Sequence, residues 1–137
     1  MKKLITYLPI NIGAWIVATS EEWENLRFVE SVLDWSLLPE NAYGKLYVEI
    51  YDDTRDSPDI HTISVRLMYQ QEPAIFIGVE SSEITYTGSK RWQLLESEWF
   101  KLPRVSGVSC LWIQGKTTKG GRCAVALANL AIAEEVE

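Results

Sequence analysis

Two stretches near the middle of the chain alternate with a period of two, and no other feature limits the fold as strongly. In GKLYVEIYDD, residues 44–53, Leu46, Val48 and Ile50 fall on one side and Tyr47, Glu49 and Tyr51 on the other. In IHTISVRLMYQ, residues 60–70, Ile63, Val65 and Leu67 alternate with Thr62, Ser64 and Arg66. Successive strand side chains point to opposite faces, so this pattern describes half-buried strands of an antiparallel sheet. The intervening TRDSPD carries the Asp, Ser and Pro of a turn.

Residues 20–36 read differently. Thr19 and Glu22 have the T-x-x-E spacing of a capping box. Trp23, Leu26, Val29, Val32 and Leu33 recur at three- and four-residue intervals, with Glu24, Arg27, Glu30 and Asp34 between them. The spacing predicts an amphipathic helix that Pro39 prevents from continuing. Towards the C-terminus, GVSCLWIQ and RCAVALANLAIAEEVE flank Gly120-Gly121 and read as the two arms of a hairpin, with helix the alternative for the alanine-rich residues 122–135. The expected fold is α+β and β-rich. One helix over about 20–36 packs on a curved, mostly antiparallel sheet, or on a small β-sandwich, of about six to eight strands. A single domain spans 1–137, a length sufficient for one core.

The net charge of −6 conceals a split. Residues 20–83 carry fourteen acids and four bases; residues 84–123 carry seven bases and two acids. If the two segments occupy separate faces, the molecule is electrically bipolar and suited to docking on a charged partner or on copies of itself. If their strands interleave, the charges mix. Pro9, Asn11 and Gly13 interrupt the first apolar run, which argues against a secretory leader, and no window approaches the ~18 apolar residues of a membrane span. A cytoplasmic location, in a cell or an infected host, is expected. Cys110 and Cys123 are too few for a disulfide framework and are expected as buried free thiols.

Three motifs invite a chemical reading. Gly115-Lys116-Thr117 follows an apolar run, as in a phosphate-binding loop. Yet position 110 is Cys where the motif needs its first glycine, and TKGGRC follows where a helix must start. The better reading is a basic, glycine-rich tip presenting Lys116, Lys119 and Arg122. Asp52, Asp53, Asp56, Asp59 and His61 cluster within ten residues, but they lack calcium-loop spacing and the several His or Cys of a zinc site. They read as an acidic turn able to meet a partner. His61 is the one histidine any Ser- or Cys-based catalysis would have to use, and no motif surrounds either cysteine. The chain is therefore expected to be no enzyme and to hold no metal or cofactor.

Six tryptophans remain to be placed. Trp15, Trp23 and Trp112 lie in apolar patterns and are expected in the core. Trp92 and Trp99 sit among Lys90, Arg91, Lys101 and Arg104, a mixture of aromatic and basic residues suited to an interface. The overall acidity disfavours nucleic acid, so a protein partner is expected. The leading expectation is a small assembly or structural subunit of a larger machine, such as a phage particle, docking through bipolar charge and a Gly-rich hairpin onto copies of itself or a neighbour. The alternative is a monomeric acidic inhibitor or immunity-type protein that blocks a basic site. A small-ligand barrel or an enzyme would instead require an aromatic-lined pocket.

Overall fold

The computed structural model describes residues 1–54, 56–73, 75–88 and 90–137, and within them all side chains except those of residues 11–16, 27–30 and 72. In chain order the strands are β1 (Lys2–Ala18), β2 (Glu24–Asp34), β3 (Ala42–Asp52), β4 (Thr62–Glu72), β5 (Ile75–Gly78), β6 (Ile84–Thr87), β7 (Gln93–Glu96), β8 (Phe100–Lys101), β9 (Val108–Thr117) and β10 (Cys123–Glu135). One turn of 3-10 helix, Trp35–Leu37, follows β2, with the Asp34 side chain accepting from the Ser36 N–H at 3.1 Å. No α-helix occurs among the described residues.

The strands form two antiparallel sheets. Sheet A runs β1-β10-β3-β7, with β8 also on β3; sheet B runs β2-β9-β4-β5, with β6 also on β4. Consecutive strands thus alternate between sheets along much of the chain. If the collinear pairs β5/β6 and β7/β8 are each counted as one broken strand, the order is that of an eight-stranded double-sheet jelly roll. The core lies between the sheets. Leu46, Val48 and Ile50 of β3 and Ile63, Val65 and Leu67 of β4 face it with no exposed surface. They meet Leu111 and Ile113 of β9, and Val125, Leu130 and Ile132 of β10.

The expected α+β architecture is therefore replaced by an all-β sandwich, and the helix over 20–36 by β2. The cause is a register shift. Leu26 pairs with Ile113, but Ser31 already pairs with Leu111, so residues 27–30 oppose Trp112 alone. An irregularity of this kind flips the alternation. Leu26 and Leu33, seven residues apart, both end in the core, and seven is also two helical turns. The capping box does not form. The Glu22 N–H instead donates to Ser20 Oγ at 3.0 Å within a turn.

The C-terminal hairpin is corrected as well. β9 lies between β2 and β4, and β10 between β1 and β3, so residues 118–122 arch from one sheet to the other. Each of the two strands is central in its sheet and finds ladder partners on both sides, which leaves neither free to pair with the other. Gly115, the first residue of the apparent phosphate motif, sits within β9. A Cβ there would stand 3.0 Å from Leu26 Cδ1 and 3.2 Å from Ala18 Cβ. Its glycine permits close packing of the layers rather than approach of a phosphate. At the N-terminus a single strand, β1, runs through Pro9, which is tolerated because β1 is an edge of sheet A.

Truncating Leu46 to Ala should lower unfolding free energy by about 2–5 kcal/mol, and Gly115→Val by about 1–3 kcal/mol through overpacking. Denaturant titration followed by tryptophan fluorescence measures both. Losses well under 1 kcal/mol would mean that these positions do not bridge the layers.

Candidate functional site

The outward side of sheet A carries a group of aromatic residues, Tyr7, Tyr43, Tyr47, Tyr51, Trp92 and Trp99. Outward positions of β3 are Tyr43, Lys45, Tyr47 and Glu49, each half-buried. Across the ladder, Leu127 opposes Glu49, Asn129 opposes Tyr47, and Ala131 opposes Lys45. Tyr7 of β1 flanks Ala131 on the other side. Tyr7 is 56 % exposed and Leu94 of β7 63 %. Ala131 and Ala133 are buried although they face outward, because the larger side chains on either side overhang them. A shallow depression of about 280 Å³ opens between Tyr7, Tyr47, Leu94, Leu127 and Asn129.

Charges on this face are matched locally. Lys45 Nζ lies 3.2 Å from Glu96, 5.5 Å from the Trp99 ring centre and 6.0 Å from that of Tyr47. Lys2 pairs with Glu135 and stands 4.3 Å over the Tyr43 ring. Trp92 packs on Tyr51, with ring centres 4.1 Å apart. Of the interface residues expected from sequence, Trp92 and Trp99 thus join one surface. Tyr7, Tyr43, Tyr47, Leu94 and Leu127 were missed. Aromatic residues at every second outward position of β3, Tyr43, Tyr47 and Tyr51, were the available signal. For Tyr7 and Leu127 the register shifts in β1 and β10 hid it.

The acidic turn is largely spent on the fold. Asp52, 2 % exposed, receives His61 Nδ1 at 2.6 Å and the Arg122 backbone N–H at 3.1 Å. Lys90 Nζ is 3.9 Å from the same carboxylate and donates to Thr54 O at 2.8 Å and Ser57 O at 2.6 Å. Burial works to raise the Asp52 carboxyl. The hydrogen bonds from His61, Arg122 and Thr54, with the charge of His61, outweigh it and hold the group below the ordinary carboxylate range. Asp53 accepts from the Tyr51 hydroxyl at 2.7 Å and lies 3.8 Å from Arg122. Asp56 and Asp59 are exposed. This network joins the ends of β3, β4 and β10 to the loop bearing Lys90. Gly121 fits against it because a Cβ would fall 2.0 Å from Thr117 Oγ1 and 3.0 Å from His61 Cβ.

The basic residues of the tip do not act as a set. Lys116 lies on the outward side of sheet B, 4.5 Å over the Trp23 ring, which Arg66 also meets at 4.3 Å. Lys119 is exposed at the arch, and Arg122 turns to Asp53. Nor do the acidic and basic segments occupy separate faces, since β9 inserts between β2 and β4, and β7 and β8 lie on β3. Trp112 is buried, packed on Phe76 at 5.4 Å; Trp23 is half-buried, and the side chain of Trp15 lies outside the described residues. Among the described residues no group of three or more His, Cys, Asp or Glu is placed to hold a metal. No helix is long and apolar enough to cross a membrane. Cys110 and Cys123 are free, but Cys110 is half-exposed rather than buried.

No protein-family model matches the sequence, and no curated protein matches it. Among solved structures the chain is similar over 98 % of its length to Eiger TNF from S. frugiperda, covering 95 % of that chain with a TM-score of 0.51 and 8 % identity. It is also similar to the CBM22-1 xylan-binding domain of Xyn10C from Paenibacillus barcinonensis, over 98 % of this chain and 97 % of that one, with a TM-score of 0.49 and 5 % identity. The first likeness is one of fold alone.

Two outcomes follow from the titrating groups. A carboxylate held low in the fold contributes stability above its unfolded value and loses it as pH falls through the folded one. Asp52→Asn should therefore cost about 2 kcal/mol near neutral pH, and the gap from wild type should narrow below about pH 4. A gap constant from pH 7 to pH 2 would contradict the pairing. Burial, with the charges of Asp52 and Glu24, pushes the Cys123 thiol up to about 12. In native protein at pH 8 only Cys110 should react with a thiol reagent, and Cys123 only on unfolding; rapid labelling of both would contradict its burial.

Proposed function

We propose that the chain is a non-enzymatic assembly subunit that docks a second copy of itself through the outward side of sheet A. The observation supporting this reading is an exposed aromatic and aliphatic surface on which Lys45 and Lys2 already have acidic partners. Exposed apolar patches rimmed by polar groups mark interaction sites. Tyrosine and tryptophan contribute most at such contacts because they bring large area at low entropy cost.

A like copy is favoured as occupant on electrostatic grounds. With a net charge of −6, two chains repel over most of their surfaces. On this face Lys45 answers Glu96, and Lys2 answers Glu135, so copies meeting here bring little unpaired charge together. The protruding Leu94 and Tyr7 beside the depression give the self-complementarity that a two-fold interface requires. Three strand rows of eleven or more residues and the shorter row of β7 and β8, about 4.8 Å apart, span roughly 650 Å² in projection. That matches the about 800 Å² per partner of a stable interface.

Sedimentation equilibrium should show a monomer–dimer equilibrium in the micromolar range. Leu94→Glu should weaken it more than tenfold with unchanged circular dichroism, since Leu94 is mostly exposed. A wild-type monomer at every concentration, or a dimer indifferent to Leu94→Glu, would remove the proposal.

A further inference from the structure

The two sheets part along one edge, where β5 of sheet B faces the segment that leaves β8 of sheet A. A cleft of about 440 Å³ opens there, within the size of small-molecule sites. Its walls are apolar: Tyr69, Val79 and Leu102 are 7 %, 5 % and 4 % exposed, and Ile77 packs on the core beside them. Tyr69 and Ile77 are cross-strand partners and so share the inward face. The Tyr69 ring is held edge-on to Trp35 with centres 5.3 Å apart, a rigid wall rather than a flexible one.

Two observations define what would enter. Among the described residues no buried side-chain nitrogen or oxygen lacks a hydrogen bond. The Tyr69 hydroxyl makes none with the described residues although Tyr69 is more than nine-tenths buried, and Tyr69 lines the cleft, so this hydroxyl reaches its space. A pure hydrocarbon would take water from it and return nothing, at the cost of an unmade hydrogen bond. The ligand must offer this hydroxyl a hydrogen-bonding group. The rim supplies the second observation. Lys101 and Arg104 line the cleft and outnumber its single acid, Glu80, in a chain that is acidic overall. Arg104 is engaged by Glu40 alone, at 3.6 Å between two exposed side chains, a contact easily exchanged.

We propose that this inter-sheet cleft binds an unbranched medium-chain aliphatic carboxylate. Its chain lies against Ile77, Val79 and Leu102, and its carboxylate meets the cations of Lys101 and Arg104. The proposal does not rest on self-docking: the cleft lies at the sheet edge, and of its two cations only Lys101, the partner of Tyr43, borders the outward side of sheet A.

Calorimetric titration of the full chain with hexanoate, octanoate and decanoate is the direct test. Saturable one-site binding is expected, tightening about fourfold for each added CH2 that reaches the walls. Lys101→Gln with Arg104→Gln should weaken decanoate at least tenfold, while Glu80→Gln should tighten it. Decanol should bind more weakly than decanoate. Ile77→Trp, which fills the cleft from an edge strand, should abolish binding; circular dichroism verifies that each variant is folded. The proposal is overturned if decanoate gives no saturable binding, if affinity ignores chain length, or if the double substitution leaves it unchanged.

Discussion

Everything in this molecule depends on the packing of one sheet against the other across a shared apolar layer. Neither sheet is stable alone, because each presents a full row of aliphatic side chains on its inward side. At one end the layers approach so closely that a Cβ on Gly115 of β9 would crowd Leu26 Cδ1 at 3.0 Å and Ala18 Cβ at 3.2 Å, with Cys123 Sγ at 3.5 Å. The arch from β9 to β10 then carries the chain directly from the centre of one sheet to the centre of the other. The Asp52–His61 pair and the Lys90 contacts tie that arch to the neighbouring loops. Polar groups there are used for structure, which leaves the broad sheet faces as surfaces for recognition.

The two outward faces are finished differently. On sheet B, Trp112 is buried under Phe76, and Trp23 is flanked by Arg66 and Lys116. The Arg66 guanidinium fits there because residue 78 is glycine: a Cβ would lie 2.4 Å from Arg66 Cζ. That face is largely covered by its own side chains. On sheet A the small residues of β10, Ala131 and Ala133, leave a trough between the taller aromatic residues of β1 and β3. The side chains that rise beside it, Tyr7 and Leu94, have no cover from the described residues comparable to that of Trp112. The asymmetry favours sheet A for the proposed docking surface.

How much of this could be read from the residues alone depended on the alternation. Residues 44–52 and 62–70 form strands with the inward residues expected, because an uninterrupted period of two has one structural meaning. Residues 24–34 misled because the irregularity opposite Trp112 gave Leu26 and Leu33 a helical separation. The apparent hairpin at Gly120-Gly121 misled for a different reason: a glycine turn fixes a change of direction but not which strands pair afterwards. Trp92 and Trp99 stand out in the sequence by their chemistry and lie on the outward side of sheet A, whereas Tyr7 and Leu127 were concealed by shifts in register. The inter-sheet cleft had no sequence signal at all, since residues 69, 77–80 and 101–104 come together only when the layers close.

The account turns on which surface meets the second copy. Isotope-filtered nuclear Overhauser spectra of a mixture of labelled and unlabelled chains read that surface without altering the protein. Contacts between the Leu94 and Leu127 methyl groups of one copy and the Tyr7 and Tyr47 rings of the other are predicted. Intermolecular contacts confined instead to the sheet B face or to the arch at 118–122, or no intermolecular contacts at the highest soluble concentration, would contradict it.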